Sequence, residues 1–252
     1  VPTDKRARQK EGRAARQQAL LEAQQKQGRR RRIVRFFIPI AILAVAAVVF
    51  SNRGGDDTSG DQTVAAGSAA GCPPAAGAAV RKTKFTKAPP MCIDTSKTYL
   101  ATVKTTKGEF TITLDAKKAP KTVNSFVFLA RNKFYDGVKF HRILPGFVVQ
   151  GGDPQGTGQG GPGYQIPDEL PQAGEYKVGS VAMANAGPDT NGSQFFVVTG
   201  PEGVQLPPKY TLFGQVTKGM ETTVKALEAV GTPGAGTPSE EVMMTSVRIT
   251  ER

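Results

Sequence analysis

Tryptophan is absent from the 252 residues, histidine occurs once and cysteine only twice. A single histidine excludes a multi-histidine metal site. Two cysteines cannot build a zinc centre of four cysteines, and with one histidine they cannot build one of two cysteines and two histidines either. The lone His141 has no nucleophile elbow to serve, so a Ser-His-Asp hydrolase has little support. Nothing in the composition calls for a metal or other cofactor. Acidic residues are also scarce, 21 against 33 Lys and Arg, for a formal charge of +12. Hydrophobic residues still make up 38% of the chain, enough to bury a core and to exclude wholesale disorder. The length suits one ordinary domain with extra segments, and 29 Gly with 18 Pro point to turn-rich β structure or linkers.

The excess positive charge is local. Residues 1–35 hold twelve Lys and Arg against three Asp and Glu, whereas the remainder is nearly balanced. After Arg29–Arg32 comes an 18-residue apolar stretch, 33–50, interrupted only by Arg35. That is the lower end of the roughly 17–25 residues a spanning helix needs. Arg35 lies near enough to the interface to snorkel, and Pro39 falls in the first turns, where a missing N–H matters least. Residues 33–50 therefore read as a single transmembrane signal anchor. The basic tail 1–32 stays cytoplasmic and everything after residue 51 lies outside. A cleavable signal peptide fits less well, because the stretch ends Val-Val-Phe-Ser-Asn-Arg without a small-x-small site. Nucleic-acid binding by the tail is the lesser reading beside anionic lipid.

Residues 51–96 are rich in Gly, Ala and Pro and read as an extracytoplasmic linker. Cys72 and Cys92 lie within it, 20 positions apart. In an oxidising compartment their simplest fate is a disulfide tying the linker to the domain edge; two free thiols are the alternative.

From Lys97 the pattern becomes regular. Tyr99–Thr106 and Gly108–Asp115 alternate apolar and polar residues as strands do. Ala119-Pro120 opens a helix with Val123, Phe126, Val127 and Ala130 at i, i+3, i+4 and i+7. Short apolar runs follow at Phe140–Leu144, Phe147–Gln150, Ser180–Ala184, Gln194–Thr199 and Thr211–Val216. A second helical pattern covers Met220–Ala229, and Val242–Thr250 closes the chain as a strand. Many short strands and two helices predict a mainly β domain, a closed barrel capped by helices.

Two strings are long enough to be specific. One runs Phe140-His141-Arg142-Ile143-Leu144-Pro145-Gly146-Phe147-Val148-Val149-Gln150-Gly151-Gly152-Asp153. The other runs Met183-Ala184-Asn185-Ala186-Gly187-Pro188-Asp189-Thr190-Asn191-Gly192-Ser193-Gln194-Phe195-Phe196. With Leu206 through Gly214 as a third segment, residues 97–252 closely resemble the cyclophilins, a family of peptidyl-prolyl cis-trans isomerases. The resemblance implies a closed eight-stranded antiparallel barrel with a groove on its outer face. It places Arg142 at the family's catalytic arginine and Phe147, Val148, Phe196 and Leu206 in its proline pocket. Gln150 and Gln194 match residues that orient the arginine and the substrate backbone. Ala184, Asn185 and Ala186 match the wall beside the residue before proline, and His141 and Tyr210 match the groove edge. Proline-containing unfolded or exported polypeptides are the implied partners. A proline-peptide binding module or holdase with little turnover is the alternative.

The chain departs from the family in places. Where cyclosporin-sensitive eukaryotic members carry a tryptophan just before the Leu206 position, this chain has Gln205 and one extra loop residue. Losing that indole predicts weak cyclosporin binding. Val148 stands for a larger methionine, and Tyr210, where a histidine is also found, resembles bacterial members. The Ala/Gly/Arg-rich composition has an actinobacterial cast. Gly156-Thr-Gly158-Gln-Gly160-Gly161 spells G-x-G-x-x-G, but Pro162-Gly163 follows instead of a helix, so dinucleotide binding is rejected.

Overall fold

The computed structural model describes residues 71–252. The tail 1–32, the apolar segment 33–50 and the first part of the linker lie outside the described residues. Among the described residues no helix is long and apolar enough to cross a membrane.

Nine strands form one sheet: β1 (Tyr99–Thr105), β2 (Gly108–Leu114), β3 (Val138–Lys139), β4 (Arg142–Leu144), β5 (Val148–Gly151), β6 (Ser180–Met183), β7 (Phe195–Val198), β8 (Leu212–Lys218) and β9 (Met243–Glu251). Their order is β3-β9-β1-β2-β8-β6-β7-β5-β4, antiparallel throughout. The mainly β expectation holds, but the closed eight-stranded ring becomes a curled nine-stranded sheet. The extra strand is β3, which lies just before the run expected at Phe140–Leu144 and is set off from β4 by a corner. Before Phe140-His141 the chain pairs with β9, and after it with β5. The two end strands are thus consecutive in the chain yet not paired with each other. The free edge of β4 is satisfied by a loop instead: Ile143 N donates to Gly236 O at 2.7 Å, and Thr232 N to Ile143 O at 3.3 Å.

Helix α1 spans Pro120–Arg131, with proline at the start, where its absent N–H costs nothing. Its first turn has no local side-chain cap. The Glu169 carboxylate, 47 residues away, accepts from the backbone N–H groups of Lys121 and Thr122 at 3.0 and 2.9 Å. Phe126 plugs the core against Tyr135, Phe195 and Phe213 at ring distances of 5.1–5.6 Å. A short α2 covers Pro201–Val204, which the sequence did not announce. The expected helix at Met220–Ala229 is a π-turn, Met220–Val224, running into α3 at Lys225–Glu228.

The apolar stripe read from α1 is one face of the helix, yet every residue from Thr122 to Arg131 is buried. The cause is the segment 71–96, expected as linker. It is irregular, as its composition implies, but it is docked along the outward side of α1 as a strap. Ala78 N and Lys82 N donate to Arg131 O and Asn132 O. The Asn124 side chain accepts from Cys92 N at 2.7 Å and donates to Pro90 O at 2.9 Å. The Phe85 ring meets Phe128 edge-on at 4.9 Å. Composition marks such a segment as unable to form regular structure; it does not reveal that a helix offers it carbonyls and an aromatic. Cys72 and Cys92 are disulfide-bonded and close the strap on itself.

Replacing both cysteines by serine is expected to cost about 2–4 kcal/mol of unfolding free energy. Amide exchange at Phe85 and Cys92 should accelerate. Unchanged melting and exchange curves would show that packing alone holds the strap.

Candidate active site

Side chains alternate across a sheet, so antiparallel partners share a face. On β4 and β5, Arg142 pairs with Gln150 and Leu144 with Val148. Gln150 then pairs with Phe196 on β7, and Phe196 with Ala182 on β6. Arg142, Gln150, Phe196 and Ala182 therefore form one transverse row on the outer face. The intervening residues, Ile143, Val149, Val197 and Val181, form the matching row in the core, fully buried.

Beside the polar end of the outer row lies a second apolar cluster, separate from the main core. Val148, Ala182, Phe196, Val198 and Tyr176 are its buried centre, with Phe147, Ala184, Leu206 and Tyr210 partly buried around it. The Phe196 and Tyr210 rings meet at 5.5 Å, nearly perpendicular. The Arg142 guanidinium carbon stands 5.6 Å from the centre of the Phe147 ring. Asn185 ties the neighbouring wall to the loop beyond Leu206 by donating to Lys209 O at 2.9 Å; Ala186, next to it, is exposed.

The polar end is a directed chain of hydrogen bonds. Arg142 donates to Gln150 Oε1 at 3.1 Å, Gln150 Nε2 to Gln194 Oε1 at 3.2 Å, and Gln194 Nε2 to Gly160 O at 3.0 Å. Gly160 belongs to the glycine-rich loop, which is wrapped around Asp153. That buried carboxylate accepts the backbone N–H groups of Gln155, Thr157, Gly158 and Gly160 at 2.7–3.0 Å. Burial alone would raise the pKa of Asp153; the converging donors outweigh it and hold the carboxyl below its ordinary value. A Cβ on Gly160 would fall 1.9 Å from Asp153 Oδ1, so the carboxylate's approach demands glycine there. The G-x-G-x-x-G spelling has its explanation here: the loop turns its N–H groups inward onto a resident carboxylate.

Eleven of the twelve residues singled out in the sequence thus gather around one groove. His141 stands apart. Its ring packs under Gly158 and lines a different cleft of about 290 Å³ with Lys139, Glu240 and Glu241. Neither ring nitrogen has a hydrogen-bond partner. Sequence reasoning missed Asp153 and Tyr176. The Tyr176 hydroxyl donates to Tyr210 O at 2.7 Å and accepts from Tyr210 N at 3.2 Å, fixing the groove-edge tyrosine. Burial pushes the Tyr176 pKa up to about 12, so it keeps its donor. A carboxylate just before a glycine run was the available signal for Asp153; a lone aromatic between Glu175 and Lys177 was the weaker one for Tyr176.

The model described as cyclophilin type peptidyl-prolyl cis-trans isomerase/CLD matches residues 100–249. A probable peptidyl-prolyl cis-trans isomerase A of Mycobacterium leprae is 42% identical over 166 residues, covering 59% of this chain and 91% of the relative. Peptidyl-prolyl cis-trans isomerase B of Streptomyces anulatus is 42% identical over 170 residues, covering 60% and 97%. Among solved structures, a cyclophilin-type isomerase of Cryptosporidium parvum, crystallised in the presence of the dipeptide Ala-Pro, is 32% identical with a TM-score of 0.56. That likeness covers 61% of this chain and 99% of the other. Fold and matches define the class, an isomerase on a curled antiparallel sheet. The chain belongs to the cyclophilin-type peptidyl-prolyl cis-trans isomerase family.

His141 provides a pH test. Its pKa is lowered, first by burial, with Arg142 adding repulsion and Asp153 opposing both. An unfolded histidine takes up a proton near 6.5, whereas the folded domain resists it. The unfolded state therefore binds more protons as pH falls through that region. Stability contributed by the neutral ring is complete above 6.5 and is lost as pH drops to and through the depressed folded value. Because His141 is the sole histidine, its ring resonances need no assignment strategy. An NMR titration should place the midpoint below 6.5, and His141→Gln should remove that step from the stability curve; a midpoint at or above 6.5 contradicts the burial account.

Proposed function

We propose that this chain isomerises X–Pro bonds in exported proteins, with Arg142 stabilising the twisted amide. The observation carrying the reading is the directed hydrogen-bond chain that holds Arg142 beside an apolar cluster able to grip a pyrrolidine ring. An X–Pro bond is held by amide resonance behind a barrier of about 18–20 kcal/mol and turns over tens of seconds or more. No bond needs to break; conjugation between the prolyl nitrogen and the preceding carbonyl must be lost. The nitrogen lone pair becomes available only in the twisted state, so a guanidinium N–H aimed there stabilises the transition state more than either ground state. Gln150 occupies one guanidinium nitrogen and leaves other donors of the fork for substrate. Phe147, Val148, Phe196 and Leu206 form the ring pocket, with the Ala184–Ala186 wall facing the preceding residue. Arginine suits the task better than lysine because its fork is planar and permanently charged.

Isomerisation of a short Ala-Pro peptide by the intact chain is the decisive assay. Arg142→Ala should lower kcat by about 100- to 1000-fold, the usual cost of removing a preorganised donor. Arg142→Lys should fall between that variant and the wild type. Full activity in Arg142→Ala would overturn the mechanism, and peptide binding without acceleration would recast the domain as a binding module. Cyclosporin added to the same assay is expected to inhibit weakly, since Gln205 offers no indole.

The apolar stretch 33–50 behind its arginine cluster supports single-pass anchoring with the isomerase domain outside the membrane. Protease added to intact cells should then remove the domain and spare the tail. Complete protection of the domain would place it inside.

A further inference from the structure

The chain from Arg142 to Gly160 has ends of fixed polarity. A guanidinium can only donate, and a backbone carbonyl can only accept. Between them, Gln150 and Gln194 could each be turned either way, and only one arrangement satisfies both ends. The position of the Gly160 carbonyl therefore decides which face Gln150 shows to Arg142. Asp153 holds the loop before Gly160. After Gly160 the strap supplies a further hold, beside the contacts of Tyr164 to α1 and of Pro162 to Gly192.

Phe85 grips the turn that follows. Its backbone N–H donates to Pro162 O at 2.8 Å, two residues beyond Gly160. Its own carbonyl lies where a side chain on Gly163 would be: a Cβ there would come within 2.2 Å of Phe85 O, and Gly163 has φ +99°. The Phe85 ring fills the angle between Phe128 and Tyr164, at 4.9 and 6.3 Å, and the Tyr164 hydroxyl pairs with Ser125 Oγ on α1 at 2.9 Å. Pro162, with φ restricted by its ring, stiffens the short span back to Gly160. The strap lies outside residues 100–249, which the family model matches.

We propose that Phe85 is a positioning residue for isomerisation, fixing the far end of the glycine-rich loop so that the Gly160 carbonyl holds Gln194, Gln150 and Arg142 in register. This rests on Arg142 acting on the prolyl amide. Phe85 touches no substrate; it acts through the loop. The ring pocket of Phe147, Phe196 and Leu206 stands on other elements, so the effect should fall on turnover and not on binding.

The test measures kcat and KM of the intact chain on a short Ala-Pro peptide by NMR exchange, below the melting temperature of each variant. Phe85→Ala should lower kcat by about twofold to thirtyfold, the range seen for residues coupled through packing, with KM unchanged. Phe85→Tyr, which keeps the ring, should restore kcat. The side-chain amide signals of Gln150 and Gln194 should shift in Phe85→Ala and return in Phe85→Tyr. Arg81→Ala removes a different strap tether, the bond to Phe134 O, and should leave kcat at the wild-type value. If Phe85→Ala does not fold, Phe85→Leu serves in its place with the same expected direction. Wild-type kcat in a folded Phe85 variant overturns the proposal, as does an equal loss in Arg81→Ala, which would mark a general loosening. An inactive wild type would instead sink the catalytic reading beneath it, and the two failures are told apart by that control alone.

Discussion

The antiparallel register across β6, β7, β5 and β4 is the constraint on which the groove depends. Strand side chains have a period of two, so a one-residue slip would send Arg142 inward and Ile143 outward. The register is secured by the core row behind the outer one: Val181, Val197, Val149 and Ile143 are all fully buried. Burying each is worth about 1.5–3 kcal/mol, so a slip would forfeit far more than the polar row could recover. The position of Arg142 is thus inherited from aliphatic packing on the other face of the sheet. Gln150 inherits its place the same way, while Phe196 and Ala182 add burial of their own in the second apolar cluster.

A second constraint acts along the polar end. Two glutamine amides are poor guides to orientation by themselves, since either end of each can meet either neighbour. Bounding them by a pure donor and a pure acceptor removes the ambiguity. This passes the problem to the glycine-rich loop, which must hold a carbonyl still without regular structure. The loop does so by wrapping its N–H groups around Asp153, and the desolvation that would neutralise a buried carboxyl is offset by those same donors. Glycines are required because the backbone, and nothing larger, must reach the carboxylate.

Much of this was legible in the sequence. Alternation located β1 and β2, short apolar runs located most of the other strands, the i, i+3, i+4, i+7 spacing located α1, and the two long strings marked most of the eleven residues that the fold gathers at one groove. What escaped was tertiary in origin. The two-residue β3 at Val138–Lys139, just before the run expected at Phe140–Leu144, depends on pairing with β9, and no local pattern encodes a partner. The π-turn at Met220–Val224 still carries a helical periodicity, so it could not be told from an α-helix. Asp153 looked like the end of a motif because its ligands are backbone groups, which leave no trace in residue identity. His141 was placed at the groove edge by the family resemblance; here it follows a corner and its ring turns toward Gly158 and the cleft beside Lys139.

The strap shows why composition misleads most where a segment borrows its structure. Its Gly, Ala and Pro content precludes a helix or strand, and the inference to a free linker follows only if nothing nearby can supply partners. Helix α1 supplies them. Phe128 and Asn124 point away from the sheet, so α1 carries an aromatic ring and a bonded amide on a face that an ordinary amphipathic helix gives to water. Without the strap, Phe128 would lose its cover and Phe85 its site, while the turn at Pro162–Tyr164 would keep its contacts to α1 and to Gly192. The disulfide limits how far the strap can wander when undocked, which favours return to this position over the alternatives. A segment joining the domain to the rest of the chain is in this way made part of the loop that faces the groove, and the stiffness of the groove depends on residues well outside it.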